Sequence, residues 1–327
     1  MTELLIDPVV QYGFMRAGLA AAVVVGVTSA VLSCLLVVRG QALLGDAISH
    51  AVLLGVVLGY LVAGEVGILA GAMLVAVATG AGIAYVTSNA PFRADTAMGV
   101  LFTVAFALGL AIISVVQPRG IDLMHILFGN VLGVTTADLA LTAVSGGLVL
   151  LVVLVGFRAF HLWSFDAELA RAMGMRTTAM EHLFTALLSA AIVASLQTVG
   201  LVLVIAMLVI PGATAAMVTS RLSTMMVIAA GVGLLSGVVG LYGSFHLDVA
   251  SGPAIVLVAG ACFAAVFLLA PRGVVGGLLR PPRRSEEDPS SGSTTPAPGV
   301  AAVSGGIRAD APAIDEGGLG SGPGGTP

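Results

Sequence analysis

The chain has 327 residues, of which 58% are hydrophobic and 9% charged, with a mean hydropathy of +1.10. Soluble domains carry about 25% charged residues, so this composition excludes a soluble globular protein and describes a polytopic membrane protein. The net charge of −4 says little, because most charges lie in loops and the tail, and no nucleic-acid partner is expected; the thirteen basic residues are all arginine, and without lysine no GxxxxGK[ST] phosphate loop can exist.

The N-terminal "MTELLIDPVVQYGF" lacks a basic leader, so a cleaved signal peptide is not expected. A membrane span needs about 20 apolar residues. By that rule the chain reads as all-α, with nine transmembrane helices near 13–38, 43–62, 66–86, 97–116, 137–157, 179–199, 200–220, 223–243 and 253–270. The stretch 179–220 is too long for one helix, and a tight turn near Thr198–Gly200 divides it. Pro211 and Gly212 lie inside the seventh span. A mid-helix proline removes a backbone hydrogen bond, so this point is either a fixed kink or a hinge. Cys34 and Cys262 sit inside spans as small apolar side chains and imply no disulfide framework. "GVVLG", "GILAG" and "GLLSG" place Gly55, Gly59, Gly67, Gly71, Gly233 and Gly237 at the small-xxx-small spacing of close helix packing. The transmembrane domain runs over 1–275. From 276 to 327 the chain turns rich in Pro, Gly and Ser, and reads as a disordered cytoplasmic tail.

Arginine gives the orientation. With the loop at 158–178 cytoplasmic, the inner segments hold Arg39, Arg93, Arg158, Arg171, Arg176, Arg221, Arg272, Arg280, Arg283, Arg284 and Arg308. The outer segments hold only Arg16 and Arg119. The N-terminus is then outside and the C-terminus in the cytoplasm of a bacterial plasma membrane.

Asp46 and His50 lie four residues apart in "LLGDAISHAV", on one face of the second span. An ionisable group at membrane depth costs several kcal/mol unless it is paired or faces water, and marks a functional site by default. A carboxylate oxygen and an imidazole nitrogen suit Mn²⁺, Fe²⁺ or Zn²⁺ better than an alkali ion. Two ligands do not complete a site, but a second copy across a two-fold axis supplies two more and neutralises a divalent charge. A structural Asp–His hydrogen bond and a proton relay are the competing readings. Asp122 and His125, and His246 and Asp248, stand in external segments, either as entrance ligands or as solvated and helix-capping groups. No HExxH or GxSxG motif is present, which argues against an intramembrane protease or hydrolase. The chain is read as a transport subunit and not an enzyme.

"FDAELARAMGMRTTAMEHL" joins the fifth and sixth spans. Asp166, Glu168 and Arg171 alternate with Phe165, Leu169, Ala172 and Met173. The pattern predicts a short amphipathic helix ending near Gly174, either a plain interfacial helix or a helix that docks into a groove on a partner ATPase.

Taken together, "GDAISHAVLLG", "DTAMGVLF", "HILFGNVLGV", "FDAELARAMGM", "VGLVLVIAMLVIPGATA" and "LDVASGPAIVL" resemble the permease subunits of bacterial manganese/zinc/iron ABC importers, over about residues 10–275. The resemblance implies the metal-type ABC importer permease fold, with two permease copies, a cytoplasmic ABC ATPase dimer and an extracellular metal-binding lipoprotein. It implies Asp46 and His50 as pathway ligands, and the loop with Glu168, Ala172 and Gly174 as the ATPase contact. It also implies that no cofactor is permanently bound, that Mn²⁺ (or Zn²⁺ or Fe²⁺) is cargo, and that ATP binds the partner subunit. Leu54 stands where manganese-type members carry proline and zinc-type relatives tend to carry leucine.

Overall fold

The computed structural model describes residues 12–91, 93–116 and 131–269. Within them every regular element is a helix. Lipid offers no partner for backbone N–H and C=O groups, so spans of Leu, Val, Ala and Gly satisfy them internally as helices. The helices are α1 (Gly13–Val38), α2 (Ala42–Ala63), α3 (Gly67–Asn89), α4 (Ala94–Val116), α5 (Thr136–Val155), α6 (Phe157–Phe165), α7 (Ala167–Ala172), α8 (Thr177–Val199), α9 (Leu201–Val218), α10 (Leu222–Leu247) and α11 (Ser251–Leu269).

Eight helical stretches are long and apolar enough to cross a membrane, and one of these, 42–89, is 48 residues long. At about 1.5 Å per residue, that stretch would far overrun a hydrocarbon core about 30 Å thick. It is in fact a hairpin. Gly64 stands at φ 63, ψ −147, a region that only glycine enters without strain, and a short 3₁₀ turn leads into α3. The described residues therefore hold nine long helices, as expected. The predicted break before α9 is present at Gly200, φ 79.

Two boundaries differ from the sequence reading. The fifth span stops at Val155, and Phe157 opens a separate nine-residue helix, α6, ahead of the predicted α7. The eighth span, α10, continues to Leu247, so His246 lies in its last turn and not in a loop. Asp248, in the left-handed region at φ 53, ends it.

α1 forms the centre, with 72% of its most apolar window buried, whereas α4 has only 6%. Around α1 pack α10, α9, α5 and α8, and α2 packs against α3, α4, α9 and α8. The glycine faces gain identified partners. A Cβ on Gly55 or Gly59 would run into the Gly71 or Gly67 carbonyl oxygen, so α2 and α3 touch backbone to backbone. A Cβ on Gly26 would lie 3.0 Å from the Gly233 oxygen, and one on Gly237 3.3 Å from the Ala22 oxygen. α1 and α10 therefore run antiparallel at the same close range. α5 starts on a capping box between Thr135 and Asp138 and is tied to α8 by Thr142 Oγ1 donating to the Ala194 carbonyl at 3.0 Å.

Candidate functional site

Asp46 and His50 lie on α2 one turn apart, with their side chains 29% and 24% exposed. Their neighbours Gly45, Ala47, Ile48, Ser49 and Ala51 are buried, and Gly45 packs against Leu208 of α9. The pair thus occupies a partly open patch near the start of an otherwise covered helix, next to the exposed Leu43; Leu53, Leu54 and Val57 in the following turns are buried.

His50 Nδ1 lies 3.1 Å from Asp46 Oδ1 and 3.0 Å from the Asp46 carbonyl oxygen. Neither oxygen can donate, so Nδ1 must carry the proton. In the neutral ring Nε2 then holds the lone pair. A carboxylate that fixes a histidine tautomer in this way is the arrangement that orients metal-ligating imidazoles. Two rings of α4 hold the imidazole from outside. Phe102 packs tilted at 5.5 Å between centroids and Phe106 edge-on at 5.3 Å. One turn further, Leu54 is buried at 9% exposure, and a Cβ on Gly109 of α4 would lie 3.0 Å from its nitrogen. Among the described residues, no group of three His, Cys, Asp or Glu is placed to hold a metal.

Asp122 and His125 lie outside the described residues. His246 is exposed at the end of α10, with Nδ1 2.9 Å from the Tyr242 carbonyl oxygen, and Asp248 serves as the left-handed cap. Both roles are local to α10.

In the predicted amphipathic segment, Asp166 is the N-cap of α7, its Oδ1 accepting the Leu169 N–H at 2.8 Å. Gly174, φ 84, follows the helix as expected. Ala170 is buried, while Phe165 at the end of α6, Leu169 within α7 and Met173 just past its end are each exposed; the extended Asp166 separates the two helices. Glu168, Arg171 and Ala172 are also exposed, and Arg171 Nε reaches Thr177 Oγ1 at 3.4 Å, tying α7 to the start of α8.

Pro211 and Gly212 are buried inside α9. Ser33 of α1 serves the disturbed turn: its Oγ donates to the Val209 carbonyl at 3.2 Å and accepts the Gly212 N–H at 3.0 Å. A Cβ at Gly212 would strike that hydroxyl.

Sequence reasoning did not find Ser33, the Phe102–Phe106 pair or a cluster around Arg39. Arg39 ends α1. Its guanidinium carbon lies 3.7 Å from the ring centroid of Trp163 on α6; Nη1 donates to the Trp163 carbonyl at 3.2 Å and Nε to Gln41 Oε1 at 3.2 Å. Burial pulls the Arg39 pKa below its ordinary value, while Glu181 of α8 opposes the shift. Trp163, Phe160 and Phe184 pack beneath it, all 1% exposed or less. The available signal was an arginine at a span end and the chain's only tryptophan.

Residues 11–270 match the model of the ABC 3 transport family. The manganese transport system membrane protein MntC of Halalkalibacterium halodurans is 44% identical over 286 residues, covering 87% of this chain and 97% of that protein. The chelated iron transport system membrane protein YfeD of Yersinia pestis is 42% identical, with 78% and 84% covered. Among solved structures, PsaBC from Streptococcus pneumoniae in complex with Fab has a chain that superposes with a TM-score of 0.75 at 35% identity. That match covers 83% of this chain and 97% of that one.

Proposed function

The chain belongs to the ABC 3 transport family, and from that premise we propose that it forms the membrane passage of an ATP-driven importer of manganese. It is a multi-pass permease subunit. The observation that carries the metal reading is the Asp46–His50 pair. It is an ionisable couple on a partly open patch of a transmembrane helix, with Nδ1 tied to the carboxylate and Nε2 turned to the lone-pair role. Manganese is favoured over iron because the relative at 44% identity is named for manganese. Iron is the second reading, on the name of the relative at 42%.

The passage is shared by two copies of the chain. Two ligands from one copy leave a divalent ion mostly unbound, whereas two copies bring two carboxylates and two imidazoles and cancel its charge. The lack of lysine leaves ATP hydrolysis to a cytoplasmic ATPase dimer. The exposed segment around α7, with the apolar Phe165, Leu169 and Met173 and with Asp166, Glu168, Arg171, Ala172 and Gly174, is the docking element. A metal-binding lipoprotein delivers the ion at the opposite side, for which Asp122, His125, His246 and Asp248 are the candidate entrance residues from the sequence. Pro211 and Gly212 supply the flexing point. The arginine distribution favours an N-terminus outside, and the composition of 276–327 reads as a cytoplasmic tail.

The test is ATP-dependent uptake of radioactive Mn²⁺ by the reconstituted permease, ATPase and binding protein, with a matched excess of unlabelled Zn²⁺ or Fe²⁺. Uptake that survives both competitors is the expected result. Loss of uptake to one competitor, with that metal then carried inward, would reassign the cargo. Failure of all three metals to enter would overturn the reading.

A further inference from the structure

The metal pair and the docking segment are far apart in the chain, yet one side chain joins the elements that carry them. Arg39 terminates α1, where its charge also complements the helix C-terminus. Two residues on, Gln41 is the N-cap of α2, and Asp46 lies five residues beyond it, about 7.5 Å along the axis at 1.5 Å per residue. The guanidinium grips both sides of this junction. Toward α2 it holds Gln41 Oε1. Toward the docking segment it holds the carbonyl of Trp163 and covers the indole face. Trp163 belongs to α6, which enters α7 through the single residue Asp166. The same end of the bundle holds a cavity of about 20 Å³, room for one water, lined by Gln41, Thr87, Met98 and Glu181 among others.

We propose that Arg39, through its stack on Trp163 and its bond to Gln41, is the positioning residue that carries motion of the α6–α7 segment into α2 and so to the metal pair. The inference rests on the importer reading. Arginine suits this role and lysine does not. A planar guanidinium stacks on the indole while donating in two directions, whereas an ammonium offers a point charge without the flat face. Trp163 is itself wedged between Phe160 and Phe184, so a shift of α6 moves ring and guanidinium together. A clamp of this kind does not touch the ion. Its loss separates hydrolysis from transport instead of abolishing either.

The experiment measures metal carried per ATP hydrolysed, in proteoliposomes holding the complete complex with its binding protein. Arg39→Lys and Trp163→Phe are compared with the unaltered chain, together with their ATPase co-purification and melting temperatures. The expected result is a ratio at least fivefold lower in R39K and lower in W163F, with both complexes assembled and ATP still hydrolysed. Ratios unchanged in both variants, or uptake and hydrolysis falling in equal proportion, would overturn the clamp and leave the importer reading intact. No metal uptake by the unaltered complex would overturn both.

Discussion

Asp46→Asn keeps the size and shape of the side chain and removes its charge. In the structure the carboxylate accepts the His50 Nδ1–H at 3.1 Å, so the change acts first on the imidazole. The amide oxygen can still accept the Nδ1–H, as the residue 46 carbonyl does, but the bond loses the carboxylate's charge, so the imidazole becomes a less basic and less firmly oriented ligand. Mutating such an orienting partner costs about 10–100-fold in metal affinity. Two copies sharing one ion carry the change twice. If the two contributions are independent, the loss multiplies to about 100–10,000-fold. The assay is initial Mn²⁺ uptake at subsaturating metal in proteoliposomes, with ATPase co-purification as the control for assembly.

His50→Ala and the double variant separate the two ways Asp46 can act. If it works only through His50, the double variant is no worse than His50→Ala. If it also binds the ion directly, the losses multiply. Uptake by the Asp46→Asn complex within about threefold of the unaltered protein would refute the reasoning, because neither route permits so small an effect.

Gly59→Ala should lower the melting temperature, since its Cβ meets the Gly67 backbone and such overpacking costs about 1–3 kcal/mol. Gly147→Ala, with nothing within 4 Å of its Cβ, is the control, and equal melting of both variants would sink the packing argument. Ser33→Ala leaves the Gly212 N–H without its acceptor in a buried turn. A loss of about 1–3 kcal/mol is expected, read as a fall in thermal stability, and no change would mean that water or a backbone shift replaces the hydroxyl. Glu168→Arg reverses a charge on the exposed α7 and should release the ATPase on purification while permease yield holds. Normal co-purification would remove Glu168 from that contact.

The helices were legible because lipid forces one solution on apolar sequence: with no water to satisfy the backbone, nine apolar runs become nine helices. The Asp46–His50 contact was legible for the opposite reason, as Asp46 stands out against its surroundings. What the sequence hid is pairwise. Arg39 and Trp163 are 124 residues apart, and Ser33 and Gly212 are 179 apart. Neither pair has a local pattern, because their partnership depends on which helix faces which. The glycine motifs show the limit well. Their spacing announced close packing, yet that Gly55 and Gly59 meet Gly71 and Gly67 while Gly233 meets Gly26 is set by the hairpin at Gly64 and by the central place of α1. The α5–α6 break was hidden too, since Gly156 interrupts a hydrophobic run without changing its composition.

The shape of the pair also constrains how it works. A site that holds its ion for structure closes four ligands around it, as structural zinc centres do. A pathway site must fill and empty in each cycle, and deep coordination would trap the cargo. Asp46 and His50 lie partly open, and the rings of Phe102 and Phe106 fix the imidazole without adding a ligand. In the proposed two-copy importer, orientation is built into the single chain and affinity would come from the meeting of two. Separating the copies by even a small movement would then remove half the ligands at once, so release would not await the slow loss of each bond in turn. In that scheme α2, which carries the pair, has to respond to motion at the docking segment, and the proposed Arg39 clamp between Gln41 and Trp163 is the contact through which it would do so.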